Sequence, residues 1–321
     1  MNQMIRKIIT GLLCIGILAC PVLAADRLVP VGQVIGLELA SGTVTVAAYD
    51  DSLTAARDAG LKIGDEILEI DGNPITCAGD IRSALNRSDG TVCLTVSRGG
   101  REHVLTLVPA VSAEGPKMGV FLRQGITGIG TVTFYDPDTG RFGTLGHGVN
   151  DPDGDLLSMT TGMACCARIV SVQKGKAGTP GQLKGALDGS RPLGKLERNT
   201  ARGVFGKSAQ PFAGDAIEVA APETVQPGPA TIRSTVDDGG PRDYSVEILK
   251  IYPLDRSDGR NLLLRVTDPA LLSATGGIIQ GMSGSPIIQN GKLVGAVTHV
   301  LVNDPTRGYG IFIENMLDAA S

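Results

Sequence analysis

The chain has no tryptophan, and aromatic residues make up only 3% of its 321 positions. Its apolar content of 42% must therefore come from small aliphatic side chains, which excludes an aromatic-rich core. Histidine is also scarce, with His103, His147 and His299 the only three and no H-E-x-x-H pair. That leaves too few imidazoles for a metal-dependent hydrolase, so no metal site and no cofactor is expected. A net charge of −4 supplies no basic field for a phosphate backbone, which argues against nucleic acid as a partner. The cysteines fit neither a zinc ribbon nor a C-x-x-C redox pair. Cys165 and Cys166 are neighbours that do not bridge to each other. Cys77 and Cys93 have the option of pairing in an exported domain, although buried free thiols are the expectation.

What the chain has in quantity is glycine, 44 residues of it, in keeping with a turn-rich β protein. Its length allows two or three domains with a sizeable core. Residues 1–25 read as an export signal: Arg6 and Lys7, an apolar run from Ile8 to Ala19, then Val22-Leu23-Ala24 before a cut at Ala25. An uncleaved membrane anchor is the alternative. Ile17-Leu18-Ala19-Cys20 fits a lipoprotein box poorly.

The most informative stretch runs from Gly281 to Tyr309. Gly281-Met282-Ser283-Gly284-Ser285-Pro286 is a small-residue turn that leaves a hydroxyl on a loop flanked by backbone N–H groups. Ile287-Ile288, the Asn290-Gly291 turn and Lys292 to Val300 then read as a hairpin. This order resembles the second barrel of chymotrypsin-like serine proteases. The resemblance makes Ser283 the nucleophile, with the N–H groups of Gly281 and Ser283 as the oxyanion hole. Ser285 reads as a turn serine bonded to its own backbone. His147, between Gly146 and Gly148 at a strand end, precedes the serine as the general base does in that arrangement. His103 reads as structural, and His299 as a strand residue lining the cleft, in the segment where a substrate backbone would pair.

The first folded unit is expected over residues 28–110. Its run Ala56-x-x-Ala59-Gly60-Leu61-x-x-Gly64-Asp65-x-Ile67-Leu68-x-Ile70-Asp71-Gly72 resembles a PDZ domain. That resemblance implies capture of peptide C-termini by strand addition, with Val34, Ile35, Gly36 and Leu37 as the carboxylate-binding loop and a helix from Ala78 across the groove. A PDZ fold serving only as an internal brace is the alternative. Residues 111–117 read as a linker. Residues 174–206, rich in Gly, Lys and Arg, read as long loops and short strands.

F-G-T-L-G-H147-G-V, T-D268-P-A-L-L, G-G-I-I-Q-G-M-S283-G-S-P-I-I-Q-N-G-K and A-V-T-H-V-L-V-N-D-P-T together resemble the stage IV sporulation protein B family. The resemblance implies a PDZ-like α+β domain followed by a chymotrypsin-like double β-barrel over residues 118–321. It also implies a mainly β, exported serine endopeptidase that cleaves itself and a membrane-associated regulatory protein between the membranes of a developing spore. Carried over from the family, Asp268 would orient His147. Asp268-Pro269 is also a good helix start, and Asp188 lies nearer the midway position of the chymotrypsin order. The alternative function is a non-catalytic secreted peptide-binding adaptor.

Overall fold

The computed structural model describes residues 27–321 except 114 and 153. The expected export segment lies outside the described residues. β1 (Arg27–Pro30) turns through Gly32, at φ +71°, into β2 (Val34–Tyr49), a single strand where the sequence suggested two. The two halves of β2 serve different cores.

The second half of β2 belongs to the PDZ-like unit. There α1 (Ala55–Asp58), β3 (Glu66–Ile70), β4 (Asn73–Pro74), α2 (Ala78–Arg87), β5 (Val92–Arg98) and β6 (Arg101–Leu107) follow the sequence reading closely. They close over a core that includes Val44, Leu61, Ile67, Ile81, Leu85 and Leu94. Asp65, fully buried, takes two hydrogen bonds from the Arg98 guanidinium at 2.7 and 2.6 Å and one from the Lys62 amide. Burial pushes this carboxyl up, yet the Arg98 and Lys62 hydrogen bonds outweigh it and hold it below its ordinary value. The four cysteines among the described residues are free, and Cys93 is exposed rather than buried.

Residues 111–117 are not a linker. β7 (Ala110–Ser112) and β8 (Gly115–Lys117) pair as a hairpin, and β9 (Val120–Tyr135) continues from it. β9 runs beside β2 along its length, with Tyr49 opposite Val120, Ala40 opposite Gly125 and Val34 opposite Thr131. The PDZ-like unit is therefore an insertion that grows out of two adjacent strands. Its start at residue 28 is corrected accordingly: residues 27–40 belong to the barrel that follows.

That barrel adds β10 (Arg141–Thr144), β11 (Thr161–Gln173), β12 (Gln182–Thr200) and β13 (Gly203–Ser208). Its pairings close a six-stranded ring, β2-β9-β10-β13-β12-β11 and back to β2. The nineteen residues of β12 correct the expectation of loops across 174–206. Neighbour pairing on both sides, with register shifts against β11, absorbs the glycines and the proline that break the local pattern.

β14 (Ile217–Glu218) pairs with β1, and the chain then builds a second closed barrel. Its members are β15 (Gly228–Ser234), β16 (Arg242–Ile251), β17 (Leu262–Val266), β18 (Pro286–Gln289), β19 (Lys292–Val300) and β20 (Arg307–Phe312). The short helix α3 (Pro269–Thr275) precedes the serine turn, and α4 (Ile313–Ala320) ends the chain. Asn290 and Gly291 both take positive φ, 51° and 74°, the turn that an Asn-Gly pair between apolar strands predicts. Leu28, Phe134 and Phe205 of the first barrel pack with Ile311, Ile313 and Met316 of the second. Among the described residues, no helix is long and apolar enough to cross a membrane.

Candidate active site

The serine turn is shaped by glycines that no other residue could replace. Gly281 and Gly284 both sit at φ +96°, and a Cβ on Gly284 would lie 2.0 Å from the Thr131 carbonyl oxygen. Thr131, buried in β9, holds the loop from the other barrel. Its amide donates to the Ser283 carbonyl at 3.0 Å, and its hydroxyl donates to the Gly281 carbonyl at 2.9 Å. With those carbonyls tied back, the amide N–H groups of Gly281 and Ser283 have no acceptor among the described residues. Two free donors at the nucleophile are what an oxyanion hole requires. Ser285 is fully buried and donates to the Met282 carbonyl at 2.7 Å, the bond expected of a turn serine.

His147 is delivered by an equally constrained turn after β10. Leu145 and Gly146 take successive left-handed conformations, φ +70° and +69°, and bring the chain against Thr298 and Ile311 of the second barrel. His147 Nδ1 lies 2.8 Å from the Gly148 carbonyl oxygen. A carbonyl only accepts, so Nδ1 carries the proton and Nε2 is left as the base. Burial pushes this histidine below its ordinary pKa, with the Gly148 carbonyl opposing, so the ring is neutral at pH 7.

His147, Ser283, Gly281, Thr298 and His299 line one cavity of about 460 Å³ between the two barrels, walled by Leu37, Ile126 and other apolar side chains. The Ser283 hydroxyl donates to the Thr298 carbonyl at 2.8 Å and is not bonded to His147. Catalytic hydrogen bonds often tighten only once substrate is bound. His299 faces His147 with ring centroids 5.4 Å apart and planes inclined at 42°.

The structure gives the remaining sequence candidates other surroundings. Asp268 makes no hydrogen bond to His147 in the structure. It is the N-cap of α3, its Oδ1 accepting from Ala270 and Leu271 at 2.9 and 3.0 Å, its Oδ2 from the Ser245 amide at 3.3 Å. Asp188 stands in β12 opposite Cys166, also away from the cavity. Val34, Ile35, Gly36 and Leu37 do not form a peptide-binding loop. They lie inside β2, paired with β9 on one edge and, from Ile35 to Leu37, with β11 on the other, and Leu37 walls the catalytic cavity. No edge is left there for strand addition.

The groove of the PDZ-like unit lies elsewhere. Ile81, Arg82 and Leu85 of α2 face Met118, Val120 and Leu122 across a depression of about 460 Å³. The first residues of β9 pair only with β2, so their other edge is open toward α2. Gly119, at φ +82°, separates apolar Met118 from Val120-Phe121, and that apolar-Gly-apolar run was the missed sequence signal. Thr131 was missed as well, because an alternating strand threonine carries no local mark of its role. Among the described residues, no group of three or more His, Cys, Asp or Glu side chains is placed to hold a metal ion.

Two six-stranded barrels that bring a histidine from one and a glycine-framed serine from the other onto one cavity define a serine-peptidase site of the chymotrypsin-like kind. Residues 114–317 match the SpoIVB peptidase S55 family, and residues 34–108 match the PDZ domain; the chain belongs to the SpoIVB peptidase S55 family. A curated relative, a putative zinc metalloprotease of Agrobacterium fabrum, is 36% identical over 90 residues, which are 28% of this chain and 23% of that protein. The chain thus matches less than a quarter of that relative's length. Among solved structures, the active form of the Rv3671c protease from M. tuberculosis is 14% identical, covering 61% of this chain and 73% of its own, with a TM-score of 0.36. The PDZ domain of the SdrC-like protein from Listeria monocytogenes is 26% identical, covering 25% of this chain and 85% of its own, with a TM-score of 0.22.

Proposed function

We propose that the chain is an exported serine endopeptidase that works through an acyl-enzyme, cleaving itself and a membrane-associated regulatory protein in sporulation signalling. The observation that carries the catalytic part is the pair of unpaired amides, on Gly281 and Ser283, beside a serine and a neutral histidine on one cavity. In the first step the Ser283 hydroxyl leaves the Thr298 carbonyl and attacks the scissile carbonyl carbon. His147 Nε2 takes its proton, and the two amides hold the oxyanion. His147 then gives that proton to the leaving amine as the C–N bond breaks. A water attacks the acyl-Ser283 ester, losing its proton to His147, which passes it to Ser283 Oγ as the ester bond breaks and the second fragment leaves.

The signalling context rests on the family resemblance, and export rests on the charged, apolar N-terminal sequence. In this reading the groove between α2 and β9 holds the C-terminus of a protein substrate or partner by strand addition.

The test is intact-mass analysis of the purified exported chain over hours, as wild type and as Ser283→Ala. Fragments present only in the wild type support the peptidase and give its first cleavage site. A wild-type chain that neither fragments nor labels with a fluorophosphonate at Ser283 supports the non-catalytic adaptor instead.

A further inference from the structure

Resting on the peptidase and groove readings above, we infer that one edge of β9 docks a single extended substrate chain and sets where it is cut. The substrate C-terminus sits beside α2, its upstream residues pair along β9, and Ser283 cuts it about ten residues before its end. The edge is continuous. Phe134 and Tyr135 lie between β1 and β10, and Thr131 bonds the Ser283 carbonyl and the Leu145 amide. From Val120 to Gly130, however, the β9 backbone pairs only with β2 among the described residues. Thr131 turns its N–H and C=O away from β2. The β2–β9 register is unbroken between Val34 and Ala40, so period two turns the same groups of Ile129, Thr127 and Gly125 outward as well. Such a row of unpaired groups is a template for another strand.

The same strand touches both sites. Val120 and Leu122 line the α2 groove, and Ile126, Gly128 and Ile129 wall the cavity of Ser283 and His147. Between them, Arg123, Gln124 and Gly125 line a depression of about 540 Å³ that reaches Leu122 on one side and Ile126 on the other. Gln124 Oε1 accepts from the Ala78 amide at 2.6 Å. That bond holds the start of α2 to β9 and keeps groove and cavity at a fixed separation.

Chain polarity agrees at the two ends. In the turn that opens β9, the Met118 and Gly119 amides donate to no acceptor among the described residues, which makes a place for a terminal carboxylate. A chain that ends there and pairs antiparallel with β9 runs upstream toward Ile129. At the other end His147 protonates the leaving amine, and His147 and β9 belong to the same barrel. The residues after the scissile bond therefore lie toward β9, and the acyl part lies against Thr298 to Val300 of the second barrel. One chain satisfies both ends without reversing. From Val120 to Ile129 the strand spans about 30 Å at ~3.3 Å per residue, which an extended partner covers with about ten residues.

The experiment uses the full chain and an unstructured substrate of identical short repeats, so that the same bonds recur along its length. The substrate ends in valine, to suit Leu85, Met118 and Val120 of the groove, and is made in several lengths with either a free carboxylate or an amide at its C-terminus. The readouts are fragment masses, kcat and KM, and fluorophosphonate labelling of Ser283. Expected are C-terminal fragments of about ten residues whatever the substrate length, and for the amide a KM raised ~10²-fold with scattered cuts, because a second attachment on one chain raises effective concentration. Thr127→Pro, which removes an outward N–H without touching the bonds to β2, should raise KM for the free acid alone and label at the wild-type rate. Cuts that ignore the distance to the C-terminus, or that are the same for acid and amide, overturn the inference and leave the peptidase reading standing. So does a wild type that labels but leaves the free acid uncut. A Thr127→Pro chain that is folded by circular dichroism and handles the free acid as wild type does also overturns it; should that variant not fold, the acid and amide comparison on wild type decides. A wild type that neither labels nor cuts sinks the peptidase reading, and the inference with it.

Discussion

At the scale of single residues, the chemistry depends on which side chains are neutral at working pH. His147 is a base only when deprotonated, and burial lowers its pKa. The acid limb of kcat/KM should therefore have its midpoint below pH 6.5, the ordinary histidine value. A pH-rate profile with that midpoint above 6.5 would contradict the burial argument. Stability responds to the same groups. His299 is held at about 4 in the folded chain, so between roughly pH 4 and 6.5 the unfolded chain binds the extra proton. Stability is then fully present above the unfolded value and declines as pH falls through that window, which thermal melts at pH 7, 6 and 5 would reveal as a falling Tm. His299→Phe should flatten the decline. Asp268 acts on stability for a different reason: Asp268→Ala removes an N-cap worth about 1 kcal/mol, and denaturant midpoints measure it. The sequence singled out Ser283, His147 and Gly281 because glycine turns and chain order are local marks. What it could not separate was an aspartate that orients a histidine from one that caps a helix, because both begin with the same Asp-Pro pair.

At the scale of elements, β9 does most to position the site. Thr131 ties two carbonyls of the serine turn, so Thr131→Val should loosen the oxyanion loop at nearly constant volume. The lost hydroxyl bond and the unsatisfied Gly281 carbonyl together cost ~1–3 kcal/mol. In kinetics this should read as a reduced kcat with little change in KM; an unaltered kcat would show that the loop holds its shape without β9. Hairpins and short helices were legible in the sequence where a turn signal flanked an alternating run, as in β5–β6 and β18–β19. β12 was not, since its strand state comes from β11 and β13 on either side rather than from its own Gly-, Pro- and Lys-rich residues. The hairpin β7–β8 was hidden for a similar reason: Ser112 and Gly115 read as punctuation, and here the punctuation is the turn itself.

At the scale of the whole molecule, the PDZ-like unit is an excursion between two residues that already face each other. Ala40 and Gly125 are cross-strand partners, so replacing residues 41–124 with an Asn-Gly turn should close β2 and β9 as a tight hairpin. The two barrels, whose cores are separate from that of the insertion, should still fold and keep a Ser283 that labels with fluorophosphonate. Failure of that shortened chain to fold, judged by a cooperative thermal melt, would mean the insertion is needed to build the first barrel. The residue boundary between the units escaped the sequence reading because a strand shared by two cores has one unbroken pattern. That sharing has thermodynamic force. The end of β9 that borders the α2 groove and the end that grips the serine turn belong to one hydrogen-bonded strand. Suppose a peptide in the groove alters the affinity of a reversible boronate at Ser283 by some factor. The boronate must then alter peptide affinity by the same factor, whichever is added first. Calorimetric titration of each ligand in the presence of the other would measure that number twice.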